Sequence, residues 1–309
     1  MKHVTITTTT HSFILLLPIV CLGMEIPKQR PDHSNSIVTI SQQELADDTI
    51  ELERKLICGA QDGIFYVEMP SACKSLIPAA LSFSNSFYKN EEIKNQKFPG
   101  FTGYHNREHA QVESFYAERN FWQELLPQEM VELATYMNLL SAQLLKRVLD
   151  LVIPHLDINQ RGIGTGKVTD NNGLYHVLFN HYRPEKTLVG LSPHKDFGFI
   201  TLLSTHKPGL IAQLHGVWGG ILPKEGYFIV NFGKALEMLV NDIHKLVAIV
   251  HGVEQIRDQN GRVAFGLSAE SASDSPLYRL SENGSLEMIY ENSQQYLVEC
   301  FKETYEKVD

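Results

Sequence analysis

The sequence predicts a mainly β chain with helices, of the α+β class: a helix-rich front, a β core and a closing helix. Three observations carry this. Apolar residues recur at helical spacing through 127–153. About eight short β-like runs, divided by Gly, Pro and Asn turns, crowd residues 174–269. The tail, residues 291–306, returns to helical character. A series of short strands of this kind suggests a sandwich or small barrel. With 309 residues, 43% of them hydrophobic, the chain is long enough for a large core. No internal repeat, low-complexity tract or long linker divides it, so one domain over 24–309 is the simplest organisation.

The elements follow in order. "SFILLLPIVCLG", residues 12–23, is too short for a helix to span a bilayer. It reads as a leader-like or non-structural segment, either a signal peptide or sequence upstream of a true start at Met24, and it is set aside. In the front, 37–155, Ser41 with Glu44 forms a capping-box pattern. Leu45, Leu52, Leu56 and Ile57 continue a helix that Gly59 or Gly63 ends. "IFYVEM" is a short strand, and a second helix covers about 73–89. In 127–153, Pro127 suits a first turn, and Leu133, Tyr136, Met137, Leu140, Leu144, Leu145 and Val148 make one apolar stripe. The β core, 174–269, comprises "LYHVLFNHY", "GLSPHKD", "FITLLS", "GLIAQL", "HGVWGGI", "YFIVNFG", "LVAIVHGV" and "RVAFGLSA".

Charge and cysteine content narrow the classes. The formal net charge of −9 and the absence of a basic stripe argue against a nucleic-acid binder. Cys21, Cys58, Cys73 and Cys300 form no CxxC pair or zinc spacing and read as thiols of a reducing compartment, which favours the cytoplasm unless residues 1–23 direct export.

The chemistry sits in "GLSPHKDFGFITLLS". His194 and Asp196 are two apart in front of a strand, so both side chains point to one face. The spacing alone is weak, because His155-Leu156-Asp157 repeats it at a helix end or loop. A third candidate ligand, His251, closes the apolar run "LVAIVH". Two imidazoles and a carboxylate that hold a metal by one face leave positions open, the geometry of non-haem Fe(II) oxygenases. A His3 or Cys set would favour zinc. Arg262 begins a strand eleven residues after His251. An inward arginine is costly unless it binds an anion, and a bidentate clamp on a carboxylate is its natural use. A keto acid chelating the iron and reaching Arg262 would satisfy both. Asn180 and Tyr182 stand at alternate positions of "NHYRP", where Tyr182 is placed to donate to the same carboxylate.

These segments resemble the Fe(II)- and 2-oxoglutarate-dependent dioxygenases of the isopenicillin N synthase-like group over most of residues 37–300. "CGAQDGIFYV", "GFTGY" with "QVESFYAER", "FNHYRP", "PHKDFGFITLL", "GVWGGILPKEGYFIVNFGKALEML" and "VHGV" carry the resemblance. It implies a distorted double-stranded β-helix (jelly-roll) core, iron at His194, Asp196 and His251, and 2-oxoglutarate at Arg262 and Tyr182, with Asn180 beside them. It also implies O2 as cosubstrate, a small-molecule substrate, and C–H oxidation (hydroxylation, desaturation or cyclisation) coupled to decarboxylation of 2-oxoglutarate to succinate. No catalytic residue is expected beyond the metal ligands. The chain departs from the group at Ala264, where an Arg-x-Ser hydroxyl is expected, at Arg183 before Pro184, at Gly252, and in a longer 241–251 segment. Ala264 keeps open an iron oxidase that does not use 2-oxoglutarate. A non-catalytic β-barrel that binds a metabolite is the alternative from another class. "GIGTG", 162–166, reads as a flexible loop and not a nucleotide cradle, and His215 and His244 as surface or turn residues. Trp218 and Phe197 fit either a substrate pocket or barrel filling, and Lys195 is expected to point away from the iron.

Overall fold

The computed structural model describes residues 30–242 and 244–305. The leader-like segment 1–23 lies outside the described residues. In chain order the strands are β1 (Thr39–Ile40), β2 (Ile64–Glu68), β3 (Gly103–Asn106), β4 (Val112–Glu118), β5 (Leu174–Tyr182), β6 (Leu191–His194) and β7 (Ile200–Thr205). There follow β8 (Leu210–Leu214), β9 (Val217–Ile221), β10 (Tyr227–Phe232), β11 (His251–Val253), β12 (Arg262–Glu270), β13 (Leu277–Leu280) and β14 (Leu286–Tyr290). The α-helices are α1 (Gln42–Asp47), α2 (Ile50–Asp62), α3 (Ser71–Ser84), α4 (Glu91–Asn95), α5 (Trp122–Leu125), α6 (Gln128–Val152), α7 (Ile158–Gly164), α8 (Lys234–Val240) and α9 (Ser293–Tyr305).

Two sheets build the core. The major sheet runs β1-β2-β10-β7-β12-β5-β4-β3, and the minor sheet β6-β11-β8-β9. Every pairing in them is antiparallel except β1 with β2. Strand parity decides which side chains go where. On β12, Phe265 and Leu267 join the core shared with the helices, while Arg262, Ser268 and Glu270 line a cavity between the sheets. β7 repeats this, with Leu202 outward and Leu203 and Thr201 inward. This is the jelly-roll arrangement the sequence predicts.

The helical front backs the outer face of the major sheet. On α6, Leu133, Met137, Leu140, Leu144, Leu145 and Val148 are buried against that face, and Tyr136 is half-buried. Each fully buried Leu or Val contributes about 1.5–3 kcal/mol relative to exposure. The capping box at Ser41 and Glu44 forms as expected, with Ser41 N donating to Glu44 Oε2 at 2.8 Å.

Five expectations change. The first helix is two, because Asp48 turns into the left-handed region (φ 47°) and the Thr49 hydroxyl caps α2, which Gly63 closes. The second helix ends at Ser84, and a 3-10 turn at Phe87–Lys89 covers the remainder. Pro127 is the N-cap of α6, one position before its first turn. "GIGTG" is not a loop, because Gly162 and Gly164 close α7. In "LVAIVHGV" only His251–Val253 is strand. The preceding backbone runs to the helices, with Val247 N donating to Ala60 O at 3.0 Å and Ala248 N to Glu237 Oε1 at 3.0 Å. The front also holds β3 and β4, which extend the major sheet beside β5. Their sequence alternation was masked because both faces of β4 bury polar groups: Glu113 on one, Ser114 on the other.

Candidate metal centre

His194 ends β6 and His251 begins β11, and the two are antiparallel partners. Their ring centroids lie 4.6 Å apart. Asp196 follows in a turn clamped by the start of α8: Lys234 N donates to Asp196 O at 2.7 Å and Ala235 N to Phe197 O at 3.1 Å. Gly233 makes that approach possible, since a Cβ there would stand 2.2 Å from Gly198 O. Asp196 Oδ1 lies 3.7 Å from His194 Nε2 and 3.6 Å from His251 Nε2. One ligand atom from each residue falls within 4.8 Å of the others.

The surroundings suit a cation. His194 Nδ1 is 2.8 Å from Ser192 O, and His251 Nδ1 is 3.3 Å from Ile249 O. A backbone carbonyl on Nδ1 places the proton there and leaves Nε2 as the donor atom. Burial, together with the neighbouring His251, pushes His194 well below the usual histidine range, and metal binding requires that neutral form. Asp196 Oδ2 is buried and accepts no hydrogen bond. A buried carboxylate oxygen without a partner is costly, and a metal ion removes the cost. The donor set and this bare oxygen therefore fit a divalent ion. Lys195 lines the cavity too, and its ammonium pairs with Glu237 at 2.6 Å.

The surroundings of Arg262 are equally incomplete. Arg262 is 1% exposed and pairs in register with Tyr182. Its guanidinium carbon lies 4.8 Å from the Tyr182 ring centroid, and its Nε donates to Lys207 O at 3.4 Å. Nη1 and Nη2 are buried and donate to nothing. Burial lowers the Arg262 pKa and raises that of Tyr182, although each opposes the other's shift. Two parallel bare N–H donors fit a bidentate carboxylate. Asn180 also lines the cavity, but its Oδ1 accepts from Ser114 Oγ at 2.6 Å. Among the described residues, the two hydroxyls in register with Ala264 are engaged elsewhere. The register neighbour Thr205 donates to Val263 O at 3.1 Å, and Ser114 is engaged with Asn180.

The remaining candidates sort cleanly. Phe197 lines the cavity, while Trp218 does not and is buried in β9. Asp157 caps α7 and His155 meets Gly284 O at 3.1 Å, so that H-x-D serves a helix start. His215 is an exposed turn residue 3.1 Å from Asp62, and His244 N donates to Asp242 Oδ1 in a turn. Arg183, inserted before Pro184, latches the β3–β4 loop, donating to Gln111 O at 2.9 Å, Asn106 Oδ1 at 2.8 Å and Arg107 O at 3.1 Å. Sequence reading missed the polar wall formed by His176, Thr201, Asn231, Ser268 and Glu270, all lining the cavity. The signal was available: each interrupts an apolar β run at the parity that faces inward. At His176 burial presses the pKa down, but the Glu270 carboxylate outweighs it and the net shift is upward.

Fold and site together define the class of the core, and comparison with known proteins agrees. Residues 174–267 match the family model of the 2OG-Fe(II) oxygenase superfamily. Among curated relatives, the gibberellin 2-beta-dioxygenase of Phaseolus coccineus is 29% identical over 139 residues, covering 42% of each chain. The 1-aminocyclopropane-1-carboxylate oxidase homolog 5 of Arabidopsis thaliana is 33% identical over 84 residues, 25% of this chain and 20% of that protein. The match thus spans less than half the length of these relatives. Among solved structures, JOX2 in complex with 2OG, Fe and JA superposes with a TM-score of 0.71 at 20% identity, covering 89% of this chain and 87% of that one. Full-length Neurospora crassa T7H with alpha-KG and thymine gives 0.70 at 18% identity, covering 87% and 97%. At these identities the superpositions establish the fold.

Proposed function

We propose that the protein is an Fe(II)- and 2-oxoglutarate-dependent oxygenase that oxidises a C–H bond of a small molecule. One observation carries the reading. A three-ligand centre with a bare carboxylate oxygen and a buried arginine with two bare N–H donors share one cavity. Iron with 2-oxoglutarate would supply the oxidising chemistry, with succinate and CO2 as coproducts. The chain's own part is binding and orientation. His194, Asp196 and His251 hold the ion from one side and leave its other positions to the cavity. Arg262 and Tyr182 fix the far carboxylate and so orient the keto-acid end toward the ion. Leu203, Leu210 and Val253 line the same cavity and give it an apolar wall.

Anaerobic titration with Fe(II) and 2-oxoglutarate tests the reading through the weak visible charge-transfer band. No band, together with no succinate formed, would leave the non-catalytic binder as the better account. An oxidase that draws its electrons from substrate alone is favoured by a single feature, Ala264. Measuring succinate formed per O2 consumed separates it, and the bare guanidinium of Arg262 predicts a ratio near one.

A further inference from the structure

A row of polar side chains crosses the inner face of the major sheet. Asn231, Thr201, Ser268 and His176 stand in register on β10, β7, β12 and β5. The adjacent row toward Arg262 holds Ile229, Leu203 and Leu178. Beyond Ser268, on the same face, stands Glu270. Ser268 Oγ donates to Glu270 Oε1 at 2.8 Å, and His176 Nδ1 lies 3.4 Å from Oε2. That Oε2 is buried and makes no hydrogen bond, and the same holds for both Oδ1 and Nδ2 of Asn231.

The wall belongs to the metal end of the cavity. A Cβ at Gly198, two residues after Asp196, would come within 2.8 Å of Glu270 Cγ. Arg262 lies eight residues back along β12, about 27 Å at strand rise. On the oxygenase reading, on which this step rests, the Arg262 end takes the keto acid and this end is left for substrate.

Its chemistry is selective. The His176–Glu270 pair balances its own charge, so a charged head would have to break it. What it offers a ligand is an acceptor, Glu270 Oε2, beside the edge of an imidazole ring. Asn231 offers a second acceptor and donor in the same row. An asparagine amide pairs best with a neighbouring donor and acceptor, as it does on a nucleobase edge. We propose that Glu270, His176 and Asn231 form the substrate-recognition wall and that it takes a neutral N–H/C=O edge, such as the lactam of a planar heterocycle. Glu270 receives the N–H, and Phe197, which also lines the cavity, offers the ring a face.

The test is calorimetric titration of the protein, loaded anaerobically with Fe(II) and 2-oxoglutarate. The probes are 2-quinolone, N-methyl-2-quinolone, 2-naphthylmethylamine and 2-naphthoate. 2-Quinolone should bind about tenfold or more tightly than its N-methyl analogue, the usual worth of one hydrogen bond to a charged group. In E270Q that contrast should shrink to about threefold or less. Equal binding of the two quinolones, no binding of either, or tighter binding of the amine or the carboxylate overturns the proposal. So does an undiminished contrast in E270Q. The wild-type contrast needs no variant to fold. If the wild type gives no charge-transfer band, the oxygenase reading fails, while the quinolone contrast on metal-free protein still reads the wall.

Discussion

His181 and Tyr182 are adjacent on β5, yet they serve opposite kinds of buried charge. His181 points to the outer face and meets Glu113 at 2.8 Å, where Tyr104 also donates to the carboxylate at 2.6 Å. Arg183 stands 3.9 Å from it, and Tyr88 stacks on the His181 ring at 3.8 Å. Tyr182 points inward to Arg262, whose terminal nitrogens meet nothing. Both clusters are buried on the same sheet, but one is closed and the other open. A closed cluster is scaffold, since its charges are settled by the fold. An open one stores a desolvation cost that only a ligand relieves. By this measure Asp196 and Arg262 are open and Glu113 is closed, while Glu270, paired with His176 but with an Oε2 that makes no hydrogen bond, stands between them.

Asp196→Ala gives the largest expected effect, because it removes a ligand from the open side. Fe(II) affinity should fall by at least about 100-fold, exceeding what loss of an outer partner does. Metal retention after gel filtration checks this, and a variant that keeps stoichiometric iron would break the assignment. Next is Arg262→Met. The KM for 2-oxoglutarate should rise about 30-fold or more. The ligand-free protein should become more stable, since a bare buried charge is gone. A lower melting temperature would show that Arg262 is scaffold after all.

Glu113→Ala is the mirror experiment. It should cost about 2–3 kcal/mol of stability by stranding His181 and Arg183. The KM for 2-oxoglutarate should stay within about twofold, and denaturant melts with kinetics on the folded fraction read both. The same cluster sets a pH limb. Burial raises the Glu113 pKa, but His181, Tyr104 and Arg183 together hold it below the usual 4.5. The unfolded chain therefore binds the proton first, and the cluster's stabilisation is full above about pH 4.5 and lost as pH falls through the folded value. Glu113→Gln should flatten that acid limb, and an unchanged stability–pH curve would count against the cluster. The smallest effect is Ala264→Ser. A hydroxyl restored beside Arg262 should lower the KM for 2-oxoglutarate by about fivefold, one ordinary hydrogen bond. No change would mean the carboxylate lies out of its reach.

Much of this molecule is legible in one dimension. The α6 stripe, the Ser41 capping box and most core strands follow from periodicity and local hydrogen-bonding chemistry, which act over a few residues. The expectation that strand alternation aims His194 and Asp196 to one face does not hold, because β6 ends at His194 and Asp196 is brought round by the turn that the start of α8 clamps. Less legible were the break at Asp48, the strands β3 and β4, and the short β11. There the polar–apolar pattern is disturbed by groups buried for long-range partners, as Glu113 is by His181 across the sheet. The sequence by itself determined the side-chain chemistry, the parity of each strand and the order of the candidate ligands. Only the tertiary structure decided which polar groups the fold satisfies and which it leaves bare. That depends on register between strands far apart in the chain, such as Arg262 beside Tyr182 and Ser268 between Thr201 and His176. Hydrogen bonds form or fail over a few tenths of an ångström, a distance no spacing in sequence encodes.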